Sequence, residues 1–148
     1  MTADFVFQMA SSLALLGWIL LIFISPVWWS FDKFITGVII TMLSFVYAWM
    51  IVSSFNPADM AKFGTLNGVM DLFTNKEMVT AGWVHYLAFD LFIGTWMKKN
   101  ATRHNISHFI MIPVLCLTFM LGPIGLLLYF VVRLIFTRQY FPVNFEQE

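Results

Sequence analysis

His85, Tyr86 and Asp90 interrupt an otherwise apolar stretch over residues 82–96. A histidine titrates near neutral pH and can both give and take a proton, and a carboxylate is its chemical complement. A neighbouring phenol can orient either group. In hydrocarbon such side chains cost several kcal/mol unless they find partners, so they default to functional candidates. At about 100° per residue, His85 and Asp90 point about 140° apart and do not pair directly. Tyr86 and Asp90 are four apart and share a face with Trp83, Gly94 and Met97. His85 instead lines up with Ala81, Phe89, Phe92 and Trp96. One helix thus offers two polar points to two neighbours, or to two walls of one cavity.

Two readings of these residues stand side by side. In the first, His85 is an acid/base, Asp90 its carboxylate complement, Tyr86 a supporting donor, and Asp71 or Glu77 a further carboxylate. In the second, His85 is a hydrogen-bonded packing residue and Asp90 a helix–helix anchor. His104 and His108 are also four apart, a spacing at which two imidazoles can share a metal. With three histidines in the chain, a di-iron cluster lacks ligands, and no metal is expected. A mononuclear site built on His85, His104 or His108 with a carboxylate stays open. These histidines otherwise form the mouth of the third and fourth helices.

The elements that must position these residues are membrane helices. Hydrophobic residues make up 60% of the 148 positions and charged residues 11%, too few to cover a water-facing surface. Eight basic and eight acidic residues cancel, so no basic field points to nucleic acid. Cys116 is the one cysteine, which excludes an internal disulfide. The expected fold is all-α: a single transmembrane domain over residues 1–148, with four spans at about 5–24, 34–55, 79–97 and 108–136. Ser25-Pro26 and Asn56-Pro57 end the first two. Trp28, Trp29, Asp32 and Lys33 read as an interfacial turn. The fourth stretch exceeds one crossing, and Gly122-Pro123-Ile124-Gly125 predicts a kink or break in it.

Between the second and third spans, Met60, Phe63, Leu66, Val69, Met70 and Phe73 recur at helical spacing. They predict an amphipathic or re-entrant segment at about 58–76, with Asp71 able to point toward the bundle. Four crossings put four positive charges on each side, so the positive-inside rule ties. The run Lys98, Lys99 and Arg103 leans toward a cytoplasmic loop. The leader carries Asp4 and no basic residue, unlike a signal peptide, and the first span starts too early for a transit region. An integral, multi-pass protein of a bacterial inner membrane is expected, with a homo-oligomer open.

Aromatic residues reach 18%, which suits interfacial belts and also a long polyene or isoprenoid ligand. Trp83, Phe89, Trp96 and His108 are the candidate ligand-binding residues. A covalent retinal is disfavoured, because Lys33, Lys62, Lys76, Lys98 and Lys99 lie outside or at the ends of the spans.

Two blocks together resemble a known family: Trp83-Val-His85-Tyr-Leu-Ala-Phe-Asp90-Leu-Phe and, after His108, Leu117-Thr118-Phe119-Met-Leu-Gly122-Pro123-Ile-Gly125-Leu-Leu-Leu-Tyr129. They are similar to the abscisic-acid-deficient-four-like membrane proteins, most clearly over residues 63–133. The early first span makes the chain look like a prokaryotic-type member. Plant members are associated with neoxanthin synthesis, so the resemblance implies a carotenoid or other isoprenoid ligand. It also implies isomerase chemistry, in which an epoxide oxygen gains a proton and a ring-adjacent carbon loses one. That needs an acid and a base and no cofactor. A non-catalytic carotenoid-binding or assembly protein is the alternative, and a small transporter the weakest reading.

Overall fold

The computed structural model describes residues 2–28, 30–54 and 56–138, which are helical and contain no strand. Helix α1 (Ala3–Ile19) starts at Thr2, whose side chain accepts the Phe5 N–H at 3.4 Å. A π-helical turn, Leu20–Ile24, extends it to Ser25. Helix α2 (Ser30–Phe34), the π-helical segment Ile35–Ile40 and α3 (Thr41–Ser54) form the second rod. Ala3–Ile24 and Phe31–Ser54 are each long and apolar enough to cross a membrane. Trp29 lies outside the described residues.

The expected single amphipathic helix is two short pieces. A 3-10 helix, Pro57–Gly64, opens with an Asn56/Asp59 capping box and Pro57 in its first turn. Thr65 is extended and caps α4 (Leu66–Leu72), accepting the Gly68 N–H at 3.1 Å. Gly68 packs on the Lys62 backbone so closely that any Cβ would overlap the Lys62 carbonyl, which lets the pieces fold against each other.

Helix α5 (Lys76–Arg103) has 28 residues and spans about 42 Å. Asn75 caps its start, accepting from the N–H groups of Glu77 and Met78 at 2.8 and 3.3 Å. Asn105, at φ 54°, turns the chain after its end. Helix α1 packs parallel to it, Ser11 meeting Trp83 and Ser25 meeting Lys98, through glycine slots: a Cβ on Gly17 would meet Leu91 at 2.5 Å, and one on Gly94 would meet the Trp18 ring at 2.6 Å. Small residues of this kind let membrane helices approach closely. Leu21, Ile39, Leu43, Val84 and Leu115 fill the buried centre.

The fourth stretch departs from the expected crossing at 108–136. It divides into α6 (His108–Leu121) and α7 (Pro123–Thr137), separated only by Gly122 at φ 24°, ψ −87°. The two halves fold back on each other. Tyr129 Oη donates to Asn100 Oδ1 at 2.5 Å, and Arg133 lies 3.4 Å from His104 Nε2, so the end of α7 returns to the level where α6 begins. Helices of 14 and 15 residues reach about 21 and 22 Å, short of the roughly 30 Å hydrocarbon core. Three sequence features make the hairpin. Gly122 adopts a positive φ that residues with a Cβ rarely take. Pro123 has no N–H to continue α6 and suits the first turn of a new helix. Gly125 lies against Thr118, where a side chain would overlap.

Candidate functional site

Helix α5 carries His85 on one flank and Tyr86 with Asp90 on another, as the 100° rotation requires. His85 lines a cavity of about 410 Å³ between α3, α5 and the segment 57–73. Met60, Phe63, Leu72 and Phe73 of that segment form its cover, with Ile51 and Ala81 in the opposing walls. Tyr47 and His85 are the polar side chains of the lining. Their rings lie 5.3 Å apart, and His85 also stacks on Phe89 at 4.6 Å. Neither His85 ring nitrogen has a hydrogen-bond partner among the described residues. A ligand oxygen entering this cavity would therefore meet an imidazole free to donate or accept.

The other flank faces the hairpin bend. Tyr86 Oη donates to the Met120 carbonyl at 3.3 Å. Both Asp90 oxygens press on the bend: a Cβ on Gly122 would lie 2.7 and 2.9 Å from them. Asp90 Oδ2 is shut off from solvent and has no hydrogen-bond partner among the described residues. Pro123 opens α7 here, and the first N–H groups of a helix lack intrahelical acceptors. A carboxylate at that end is favoured by the helix dipole. Asp90 thus meets the start of α7, and Tyr86 the end of α6.

The remaining candidates are dispersed. Asp71 does not join the bundle: its carboxylate is 61% exposed and pairs with Lys62 at 2.7 Å, as Asp59 does at 3.0 Å. The two carboxylates hold the Lys62 ammonium above its ordinary value of 10.5. Glu77 is exposed in the first turn of α5. Trp83 stacks between Phe7 and Tyr86 and donates to Ser11 Oγ at 2.9 Å. Trp96 packs edge-on against Tyr129 and Phe130. The Nε2 of His108 lies 2.8 Å from the Ile22 carbonyl, at the far end of the bundle. Of the named residues, only His85 and Phe89 meet beside the cavity, and only Trp83, Tyr86 and Asp90 line the opposite flank.

Two polar features escaped the sequence reading. Tyr47 was hidden as one phenol within an apolar span. Lys98 and Asp32, placed in the sequence at a helix end and an interfacial turn, are buried together. Lys98 Nζ donates to Asp32 Oδ2 at 2.8 Å, Ser25 Oγ at 2.6 Å and the Ser25 carbonyl at 3.3 Å, while Ser25 Oγ donates to Asp32 Oδ1. All three ammonium protons are used inside the protein.

The family model described as ABA DEFICIENT 4-like matches residues 5–129. The chain belongs to the ABA DEFICIENT 4-like family. No curated protein and no solved structure matches it. In this ABA DEFICIENT 4-like protein the matched region includes the cavity, its cover, the Tyr86–Asp90 flank and the bend at Gly122. Membership fits a carotenoid-related membrane protein, and the two apolar helices fit association with a membrane.

Proposed function

We propose that this protein is a multi-pass membrane protein that binds a carotenoid or related isoprenoid through the covered His85 cavity and isomerises an epoxide end group there. The observation that carries the reading is an unpartnered imidazole facing an otherwise apolar cavity. Apolar walls with a few convergent polar groups are what ligand sites use to bind and orient. About 410 Å³ suits one ring end group, with the polyene lying along Phe89 and the exposed flank of α5.

The chemistry asks for one proton in and one proton out. His85, as imidazolium, gives its proton to the epoxide oxygen as the C–O bond breaks. A ring-adjacent carbon loses its proton as the allenic bonds form, and the imidazole just released receives it and becomes imidazolium again, while the Tyr47 O–H donates a hydrogen bond to the oxygen of the opened epoxide. The product is an isomer of the substrate, and no electrons leave or enter. Tyr86 and Asp90 lie on the opposite flank, so in this reading they hold the hairpin and do not touch the ligand.

His85→Gln, in protein purified from a carotenoid-producing host, should retain bound polyene by absorption spectroscopy and lose formation of the allenic isomer by chromatography. Tyr47→Phe should slow the same step. Undiminished turnover in His85→Gln overturns the acid/base assignment. Bound polyene with no turnover in the unaltered protein leaves the binding-only alternative, which the scarcity of polar groups in the cavity also favours.

A further inference from the structure

We infer that the covered end of the bundle faces away from the cytoplasm, with the segment 57–73 resting in the non-cytoplasmic leaflet, so that the His85 cavity loads from that leaflet. This rests on the membrane-spanning reading of the proposed function. Its source is the α6–α7 hairpin. Were residues 108–136 one crossing, both termini would share a side and the positive charges would divide evenly. The contacts Tyr129–Asn100 and Arg133–His104 instead return the chain to the side from which α6 started. The rods Ala3–Ile24, Phe31–Ser54 and Lys76–Arg103 then make three crossings, and the hairpin dips in and out.

Pairs of residues fix which positions share an end. Lys76 lies 3.8 Å from Asp4 at the covered end, and Lys98 meets Asp32 at the other. The covered end holds two basic residues, Lys62 and Lys76. The opposite end holds Lys33, Lys98, Lys99, Arg103, Arg133 and Arg138, so the count is six against two. With the buried Lys98 and Arg133 set aside, four still face two. Lysine and arginine in short flanking loops are retained in the cytoplasm, which places the covered end outside.

The cover itself suits that leaflet. Its one cation, Lys62, is paired to both Asp59 and Asp71, so it offers little to the anionic lipids of a cytoplasmic surface. Leu66 and Met70 are 76% and 61% exposed and continue the apolar flank of the bundle. A short amphipathic segment of this kind beds into the headgroup–acyl boundary through its apolar face.

The full chain, carrying Cys116→Ser and either Asn67→Cys or Ser107→Cys, is placed in a bacterial inner membrane and treated with a membrane-impermeant maleimide. A fluorescent protein that matures only in the cytoplasm is fused to the C-terminus. The Asn67→Cys protein should label in intact spheroplasts, Ser107→Cys should label only after permeabilisation, and the fusion should fluoresce. The reverse labelling order, or labelling of both variants from one side, overturns the orientation. A dark fusion with Ser107→Cys protected overturns the hairpin's return. If Asn67→Cys resists the reagent even after permeabilisation, the fusion and Ser107→Cys decide the result. No ligand enters these readouts, so failure of isoprenoid binding leaves the orientation standing, and a reversed orientation leaves the cavity reading standing.

Discussion

Within α5, neighbouring residues have parted company: His85 meets a cavity, while Tyr86 and Asp90 meet a helix bend. That division was legible in the sequence, because it follows from 100° per residue and nothing else. Which flank held the cavity was not legible, since α3 and the cover supply most of its walls from other parts of the chain. The buried Lys98–Asp32–Ser25 network was equally hidden. Its members are separated by as many as 73 residues, and only the parallel packing of α1 on α5, with the turn into α2 beside its end, brings them together. Lys98 is 9% and Asp32 1% exposed in their side chains, so removing one partner strands the other's charge. Lys98→Met or Asp32→Ala should each cost about 3–5 kcal/mol, and the double substitution less than the sum. Unfolding in mixed detergent micelles measures this, and additive losses would mean the pair is not coupled.

At the scale of elements, a glycine decided what the hydrophobic pattern left open. The break at residues 122–125 could be read from Gly and Pro, but a largely apolar stretch of 29 residues fits a long kinked crossing as well as a hairpin. The backbone of Gly122 and the close seat of Gly125 on Thr118 close the hairpin. Gly125→Ala should therefore force α6 and α7 apart and lower the thermal midpoint, whereas Gly37→Ala, where a Cβ meets nothing within 4 Å, should not. Equal midpoints for the two variants would contradict the packing. The cover obeys a different control. Lys62 is held above 10.5 by Asp71 first and Asp59 second, so its contribution to holding the two short helices together is complete below pH 10.5. It is lost as pH rises through the raised folded value, when the ammonium deprotonates. Hydrogen exchange over residues 57–72 should stay slow below pH 10.5, after correction for the intrinsic rate, and quicken above it. Asp71→Asn should weaken this protection at lower pH, and an unchanged profile would show that the ion pairs do not order the cover.

For the molecule as a whole, the outer surface reports its surroundings. Phe23, Phe45, Val52, Phe109 and Ile135, from four different helices, are each 68–85% exposed. In water such a surface would drive aggregation, while in a bilayer it meets hydrocarbon on all sides. The all-helical, apolar character was readable from composition, because backbone groups in lipid must satisfy one another within helices. The hairpin at Gly122 was not, since its path depends on one glycine backbone and the close seat of Gly125. The lipid-facing surface gives a depth-dependent expectation. Phe45 lies near the middle of Phe31–Ser54 and is 72% exposed, so Phe45→Lys would set an ammonium near the bilayer centre at a cost of about 3 kcal/mol. Phe136, one residue from the end of α7 and 54% exposed, lies where a lysine can reach the headgroups. The unaltered protein and Phe136→Lys should both stay in the membrane pellet after alkaline carbonate extraction, and Phe45→Lys should show reduced insertion. Release of the unaltered protein into the supernatant would remove the bilayer from this account, and equal insertion of the two lysine variants would remove the assigned depth of α3.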